Sequence, residues 1–160
     1  MAGMAHEAQP DQARVAAQIG ALPYRRRRGR IEVLVITSRR RGRWILPKGW
    51  PIAGLEDASA AAREAWEEAG VRGAVGHRPL GRYQYIKRPG SGGQRRCEVT
   101  LYPLRVSGLA PDYPERGQRR RLWLSLGTAA RRTEEAGLAR LLARVAGRGG
   151  LIEAPGAGFR

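Results

Sequence analysis

The sequence predicts a mixed α/β (α+β) domain, with several strands set around one central helix and a second helix closing the chain. Three observations carry that reading. Ile31–Thr37 (IEVLVIT) is a β-branched run of strand length. Residues 57–70 (DASAAAREAWEEAG) repeat small apolar residues at helical spacing and stop on a glycine. Near the end, Leu138, Leu141, Leu142 and Val145 share one helical face.

Residues 1–15 are small and polar and are expected to form a disordered N-terminus. Gln18–Tyr24 reads as a first strand, alternating weakly from Ile19 to Leu22. Arg25–Arg30 (RRRRGR) reads as a basic loop, Ile31–Thr37 as a buried strand, and Ser38–Arg43 (SRRRGR) as a second basic loop. Trp44–Leu46 makes a short strand that ends at Pro47. The central helix then runs from Ala58 to Ala69, with Asp57 as its N-cap and Gly70 as its C-cap. Gly81–Lys87 is a strand and residues 88–96 (RPGSGGQRR) a glycine-rich loop. Cys97–Val106 follows as a strand in which Pro103 marks an edge or a bulge. Arg121–Leu124 adds a short strand, Thr133–Ala146 the closing helix, and residues 148–160 a flexible tail. One domain over residues 16–147 accounts for the pattern, with no repeat and no internal boundary.

A chain of 160 residues is long enough for one core that buries about two-thirds of its surface. Thirty basic residues, of which 28 are Arg, stand against fourteen acidic ones, giving a formal charge of +16. Such an excess implies polyanionic company: nucleic acid, a highly phosphorylated small molecule, or an anionic surface. Cys97 is the only cysteine, which excludes an internal disulfide framework and fits a reducing cytoplasm. No apolar run approaches the roughly 18 residues of a transmembrane helix. The first residues also lack the apolar centre of a signal peptide. A cytoplasmic protein with no membrane partner is the expectation.

Within the central helix, Glu64, Glu67 and Glu68 stand at i, i+3 and i+4. At about 100° per residue, Glu67 lies about 300° and Glu68 about 40° from Glu64, so the three share a face. Ala58, Ala62, Ala65, Trp66 and Ala69 fall at roughly 100–200° and form another. A helix so divided is suited to lie on a core and show oxygens to a cleft. Mg²⁺ takes one or two such carboxylates plus substrate phosphates and water. The ordinary alternative is a solvated face, with Arg63 paired to Glu67 at i+4.

With Gly49 and Gly70 flanking it, this stretch resembles the Nudix hydrolases, whose box reads G-x5-E-x7-R-E-U-x-E-E-x-G-U, with U a bulky apolar residue. Gly49, Arg63, Glu64, Glu67, Glu68, Gly70 and Val71 match in register. Leu55 stands where the first box glutamate belongs, with Glu56 one residue late, and Ala65 replaces the first bulky residue. Over about residues 18–145, the order of strands, basic loops and the run Leu122–Leu126 (LWLSL) looks like the diphosphoinositol polyphosphate phosphohydrolase and dinucleoside polyphosphate hydrolase branch. The resemblance implies an α/β/α sandwich with a mixed β-sheet and the box as loop–helix–loop. It also implies a Mg²⁺- or Mn²⁺-dependent pyrophosphohydrolase that uses water to cleave a phosphoanhydride. The substrate class implied is a highly anionic diphosphate: a diphosphoinositol polyphosphate, a dinucleoside polyphosphate or a nucleoside diphosphate derivative.

By the same resemblance, Glu64 and Glu68 are direct metal ligands and the Gly49 carbonyl an additional one. Glu67 is a third ligand or the base that takes the water's proton, and Arg63 orients Glu67. Glu98 is a further ligand or base, or else a strand glutamate paired to Arg96 or Arg105. Arg25, Arg27, Arg39 and Arg41 in the two basic segments, together with Lys48, are candidates to hold substrate phosphates, since Arg presents a planar fork suited to phosphate oxygens. A further basic cluster, Arg116–Arg121, is expected near the same mouth or on the rim. Two other readings stay open: removal of pyrophosphate from an RNA 5′ end, and a catalytically silent module that binds RNA or nucleotide. Few aromatic residues lie in the basic runs, which disfavours single-strand stacking there.

Overall fold

The computed structural model describes residues 14–88 and 93–149. The expected N-terminal disorder and C-terminal tail lie almost wholly outside the described residues, as does the centre of the loop at 88–96. In chain order the elements are β1 (Ala16–Arg27), β2 (Arg30–Thr37), β3 (Trp44–Ile45), β4 (Lys48–Gly49), α1 (Asp57–Ala69), β5 (Val71–Val75), β6 (Gly81–Lys87), β7 (Arg95–Leu109), β8 (Arg121–Ser125), α2 (Leu126–Arg132) and α3 (Ala136–Gly147). The strands form one mixed sheet with the path β3-β2-β1-β7-β5, in which β4 joins β1, β6 joins β7 and β8 joins β2. At its centre β1 and β7 run parallel, from Ala16 opposite Cys97 to Tyr24 opposite Arg105. The other pairings are antiparallel.

Strand alternation sends successive side chains to opposite faces, and each face has its own helical cover. Ile19, Ala21, Leu34, Ile36, Tyr102 and Leu104 pack on one side against Ala58, Ala61, Ala65 and Ala69 of α1. Small residues on α1 let the helix backbone approach the sheet closely. Leu22, Val33, Val35, Val99 and Leu101 pack on the other side against Leu138, Leu141, Leu142 and Val145 of α3. Burying each of these leucines and valines stabilises the fold by about 1.5–3 kcal/mol. The result is the expected α/β/α sandwich.

Several local expectations change. The segment Arg25–Arg30 is a hairpin, because the β1–β2 ladder continues through Arg25 opposite Glu32 to Arg27 opposite Arg30. Only Arg28 (φ 53°) and Gly29 (φ 75°) turn, in the doubly positive conformation whose twist suits a two-residue hairpin. Backbone pairing is indifferent to the charge on exposed side chains. Asp57 is the first residue of α1 and not its cap; Glu56 holds the N-cap position and its side chain makes no cap bond. Gly70 closes α1 as expected, at φ 65°, and a Cβ there would collide with the Tyr113 ring. Pro103 lies inside the sheet and not at an edge. Its carbonyl accepts from Gly76 N at 2.8 Å, at the point where the antiparallel partner of β7 changes from β6 to β5, so its missing N–H interrupts no ladder. Thr133 ends α2 and does not begin the closing helix.

Candidate active site

The pairing of β4 with β1 builds the floor of a cleft. Gly49 lies opposite Ile19 and Lys48 opposite Gly20, so the two residues of β4 address the two layers of the sandwich. On the α1 side, Glu64 and Glu68 rise one turn apart. A Cβ on Gly49 would overlap the Glu64 carboxylate, which makes glycine the residue that lets the box helix carry a glutamate there. Glu68 accepts a hydrogen bond from the Lys48 amide at 3.2 Å. On the α3 side, the Lys48 ammonium reaches Glu135 at 3.5 Å and lies 4.6 Å from the centre of the Tyr85 ring. The Tyr85 hydroxyl in turn donates to Gln18.

The third wall comes from the segment between β7 and β8. The Glu115 amide donates to the Glu67 carbonyl at 3.0 Å, tying that segment to α1. Arg119, its side chain 8% exposed, stands 3.6 Å from Glu68 and 3.5 Å from Glu115, and it donates to the Thr37 carbonyl at 3.2 Å. The Arg119–Glu115 contact is an ion pair too poorly aligned for a hydrogen bond, so Arg119 Nε and Glu115 Oε1 are both left without one. Arg39 extends toward Glu115 at 3.8 Å. Most of these residues line a cavity of about 570 Å³, completed by Ile45, Trp50, Pro51, Ile52 and Lys87.

Burial holds the Glu68 carboxyl well above its ordinary range, up to about 8. Arg119 and the Lys48 amide oppose that rise, while Glu64 and Glu115 add to it. Glu64 is also pushed up, by burial first and then by the charges of Glu67 and Glu115; a hydrogen bond with Glu68 and the charge of Arg119 pull the other way. Two carboxyl groups held this close, with their charged forms disfavoured, form a site short of positive charge. A proton or a cation relieves it.

Glu64 and Glu68 are brought together; Glu67 accepts from Arg63 Nε at 3.2 Å and does not itself line the cleft, but its charge reaches Glu64. Among the described residues no three acidic, histidine or cysteine side chains converge on one point. Two carboxylates beside a glycine with no side chain still suit Mg²⁺, which completes its shell with waters and substrate phosphates. Lys48 and Arg39 line the cleft. Arg25 does not: it pairs with Glu32 at 2.9 Å and lies 4.0 Å above the Trp123 ring. It lies six residue steps along β1 from Ile19, about 20 Å at roughly 3.3 Å each. Arg27 is farther still, exposed beside the hairpin turn. Arg41 lines a separate cavity of about 410 Å³ with Arg43, Trp44 and Arg132. Glu98 bonds Gln84 at 3.2 Å and does not line the cleft.

Sequence reasoning missed Glu115, Tyr85 and Gln18, and named Arg119 only as part of a basic cluster. The spacing of Glu115 and Arg119 at i, i+4 was a signal of a kind, but they lie in an irregular segment where that spacing has no fixed meaning.

Comparison with known proteins bears on the family and the fold. A family model described as NUDIX domain matches residues 15–145. Nudix hydrolase 12, mitochondrial, of Arabidopsis thaliana is 36% identical over 110 residues, covering 62% of this chain and 51% of the relative. Human diphosphoinositol polyphosphate phosphohydrolase 3-alpha is 34% identical over 99 residues, covering 61% of this chain and 56% of the relative. The chain thus spans about half the length of these curated relatives. In three dimensions the C. elegans Ap4A hydrolase superposes with a TM-score of 0.60 at 21% identity, covering 84% of this chain and 98% of that one, a likeness of fold. With its box residues in register and the family model matched over residues 15–145, the chain belongs to the Nudix family.

Proposed function

We propose that the protein is a Mg²⁺- or Mn²⁺-dependent pyrophosphohydrolase acting on a highly anionic diphosphate. The observation that supports it most is the convergence of Glu64 and Glu68 beside Gly49, in a cleft whose other walls present Lys48, Arg39 and Arg119. In this reading Glu64 and Glu68 hold the cation, with the Gly49 carbonyl as a further donor. When bound, the cation neutralises charge building on the phosphate oxygens, the main demand of phosphoryl transfer. Lys48, Arg39 and Arg119 bind the remaining phosphate charge, and an Arg fork suits paired phosphate oxygens. Glu67 takes the proton of the attacking water, and Arg63 holds it in position. Glu135 steadies Lys48.

The relatives' printed names cover diphosphoinositol polyphosphates and Ap4A, which share a phosphoanhydride flanked by further phosphates. That shared chemistry, with RNA 5′ ends as a third case, is the proposed substrate class. A reducing, cytoplasmic setting is part of the proposal, drawn from the lone, buried Cys97. No described helix is long and apolar enough to cross a membrane.

The test is phosphate release with and without Mg²⁺ or Mn²⁺ across diphosphoinositol polyphosphate, diadenosine polyphosphates, nucleotide sugars and 5′-triphosphorylated RNA. Turnover that needs the metal and is lost in Glu68→Gln supports the hydrolase. Tight binding of any of these without turnover would instead make the protein a silent sensor.

A further inference from the structure

The hairpin that joins β2 to β3 divides its arginines between two cavities. Its neck is closed twice: the Ser38 amide donates to the Arg43 carbonyl at 2.8 Å, and the Arg43 amide donates to the Ser38 hydroxyl at 3.0 Å. Gly42 turns the tip at φ 62°. Arg39 lines the catalytic cleft. Arg41 and Arg43 line the second cavity, of about 410 Å³, together with Trp44, Arg132 and Glu134. No residue lines both.

Charge in the second cavity is one-sided. The guanidinium groups of Arg41, Arg43 and Arg132 face a single carboxylate, that of Glu134. Another guanidinium, of Arg120, lies 5.7 Å from the centre of the Trp44 ring. Glu134 pairs with Arg43 at 2.6 Å, whereas Arg41 and Arg132 pair with no carboxylate among the described residues. Both members of the Arg43–Glu134 pair are well exposed, and such pairs contribute little, so a dianion can draw Arg43 from Glu134.

On an open surface like charges spread apart and water screens them. Here the closed hairpin neck, the end of α2 and the link to α3 hold them around one concavity, where their fields add. A carboxylate would answer only part of that charge. A phosphate or pyrophosphate group carries more, on oxygens spaced for the guanidinium fork. We infer that this cavity is a second anion site, separate from the catalytic cleft, that takes a phosphate or pyrophosphate group. Such a group has two sources. It can be free in solution, or it can be the far end of a polyphosphate whose other end lies in the cleft, since Arg39 and Arg41 share one hairpin tip. The site itself does not depend on the hydrolase reading.

The experiment titrates inorganic pyrophosphate into metal-free protein by calorimetry, where the cleft carboxylates oppose an anion. Arg41→Ala/Arg132→Ala should weaken the tightest binding at least about tenfold, through loss of two charged donors. Arg27→Ala/Arg30→Ala removes the same charge from the distant β1–β2 hairpin and should weaken it less than about threefold. Glu134→Gln removes the competing carboxylate and should tighten it about threefold. Equal weakening by the two double variants means attraction by net charge alone and overturns the inference. So does weakening by Lys48→Ala, in the cleft, that matches or exceeds the effect of Arg41→Ala/Arg132→Ala.

Kinetics with Mg²⁺ separate the two sources. In Arg41→Ala/Arg132→Ala the ratio of KM values, diadenosine hexaphosphate over ADP-ribose, should rise at least about fivefold if the far end of a substrate fills the site. A ratio within about twofold of native, with pyrophosphate binding lost, assigns the site to the free anion. If no substrate is turned over, the hydrolase reading falls while the calorimetry still decides the site.

Discussion

On α1, the carboxylates of Glu64 and Glu68 are packed beside Gly49 and the Lys48 amide at the foot of a cleft. On the β1–β2 hairpin, toward the other end of the strand that pairs with Gly49, Arg26, Arg27, Arg28 and Arg30 spread into solvent. In the sequence both are short runs of like charge, and by the resemblance both were candidates for the same site. The difference lies in what the fold does with the repulsion. Along the hairpin the arginines fan outward and water screens them. Around Glu68, which is 7% exposed, burial strips the carboxyl of water and Glu64 and Glu115 add their repulsion, so it is pushed up to about 8 although Arg119 opposes the rise. A like-charge run becomes chemically useful where it is aimed inward and left short of counter-charge.

The sharpest way to break that contrast is to neutralise one inward carboxylate. Glu68→Gln keeps the size of the side chain and should lower metal-dependent turnover at least about a hundredfold, the scale expected when a charge-stabilising group is lost. Phosphate release under saturating metal measures it. Turnover within a few fold of native protein would show that burial here has no catalytic purpose. Gly49→Ala should come next. Its Cβ must displace the Glu64 carboxylate, so we expect a loss of about tenfold or more, of the order seen when a reacting group is misplaced by about 1 Å. Thermal unfolding of this variant should stay within a few degrees of the native protein, which separates a misplaced ligand from a collapsed cleft.

Burial of Glu68 also makes a signed prediction about pH. The folded pKa of Glu68, about 8, lies above its ordinary 4.5, so between those values the folded protein holds a proton that the unfolded chain releases. The stabilisation is complete below about 4.5 and is lost as pH rises through about 8. Metal-free protein should therefore lose stability on going from pH 6 to pH 8, at up to about 1.4 kcal/mol per pH unit. Mg²⁺ favours the ionised carboxylate and should raise the melting temperature more at pH 8 than at pH 6. Calorimetric scans at the two pH values, with and without Mg²⁺, check both signs.

Legibility in the sequence followed the range of the contacts. The acidic face of α1, its glycine stop and the apolar face of α3 are local and periodic, and they were readable with nearly correct bounds. The short strand expected at Arg121–Leu124 was readable as well, and β8 runs Arg121–Ser125. The strand β5 (VRGAV) was missed because its centre is exposed and carries no alternation, while α2 has only 7 residues, too few for a period to show. Glu115 was missed as a site residue, and Arg119 was placed near the mouth only as one of a basic cluster, for a different reason. They are held at the cleft by bonds to distant carbonyls, the Glu115 amide to Glu67 and the Arg119 guanidinium to Thr37. No spacing in the sequence records such a bond.

The mildest expected effect falls on the other half of the contrast. Arg25 keeps two contacts of its own, the ion pair with Glu32 at 2.9 Å and the face of Trp123 at 4.0 Å. Both are partly exposed, so Arg25→Ala should cost no more than about 1–2 kcal/mol of stability. Arg27, exposed beside Arg30, should cost nothing measurable. Neither substitution should move kcat or KM more than about twofold, because the hairpin end lies about 20 Å or more along β1 from the residues beside Gly49. Arg39→Ala provides the matched control: an arginine from the other basic run, but one that lines the cleft, and its loss should raise KM about five- to tenfold at low salt, fading as salt screens the site. If the Arg25/Arg27 double variant raised KM as much as Arg39→Ala does, a substrate would have to bridge the whole strand. Position by resemblance would then have outperformed position in the fold.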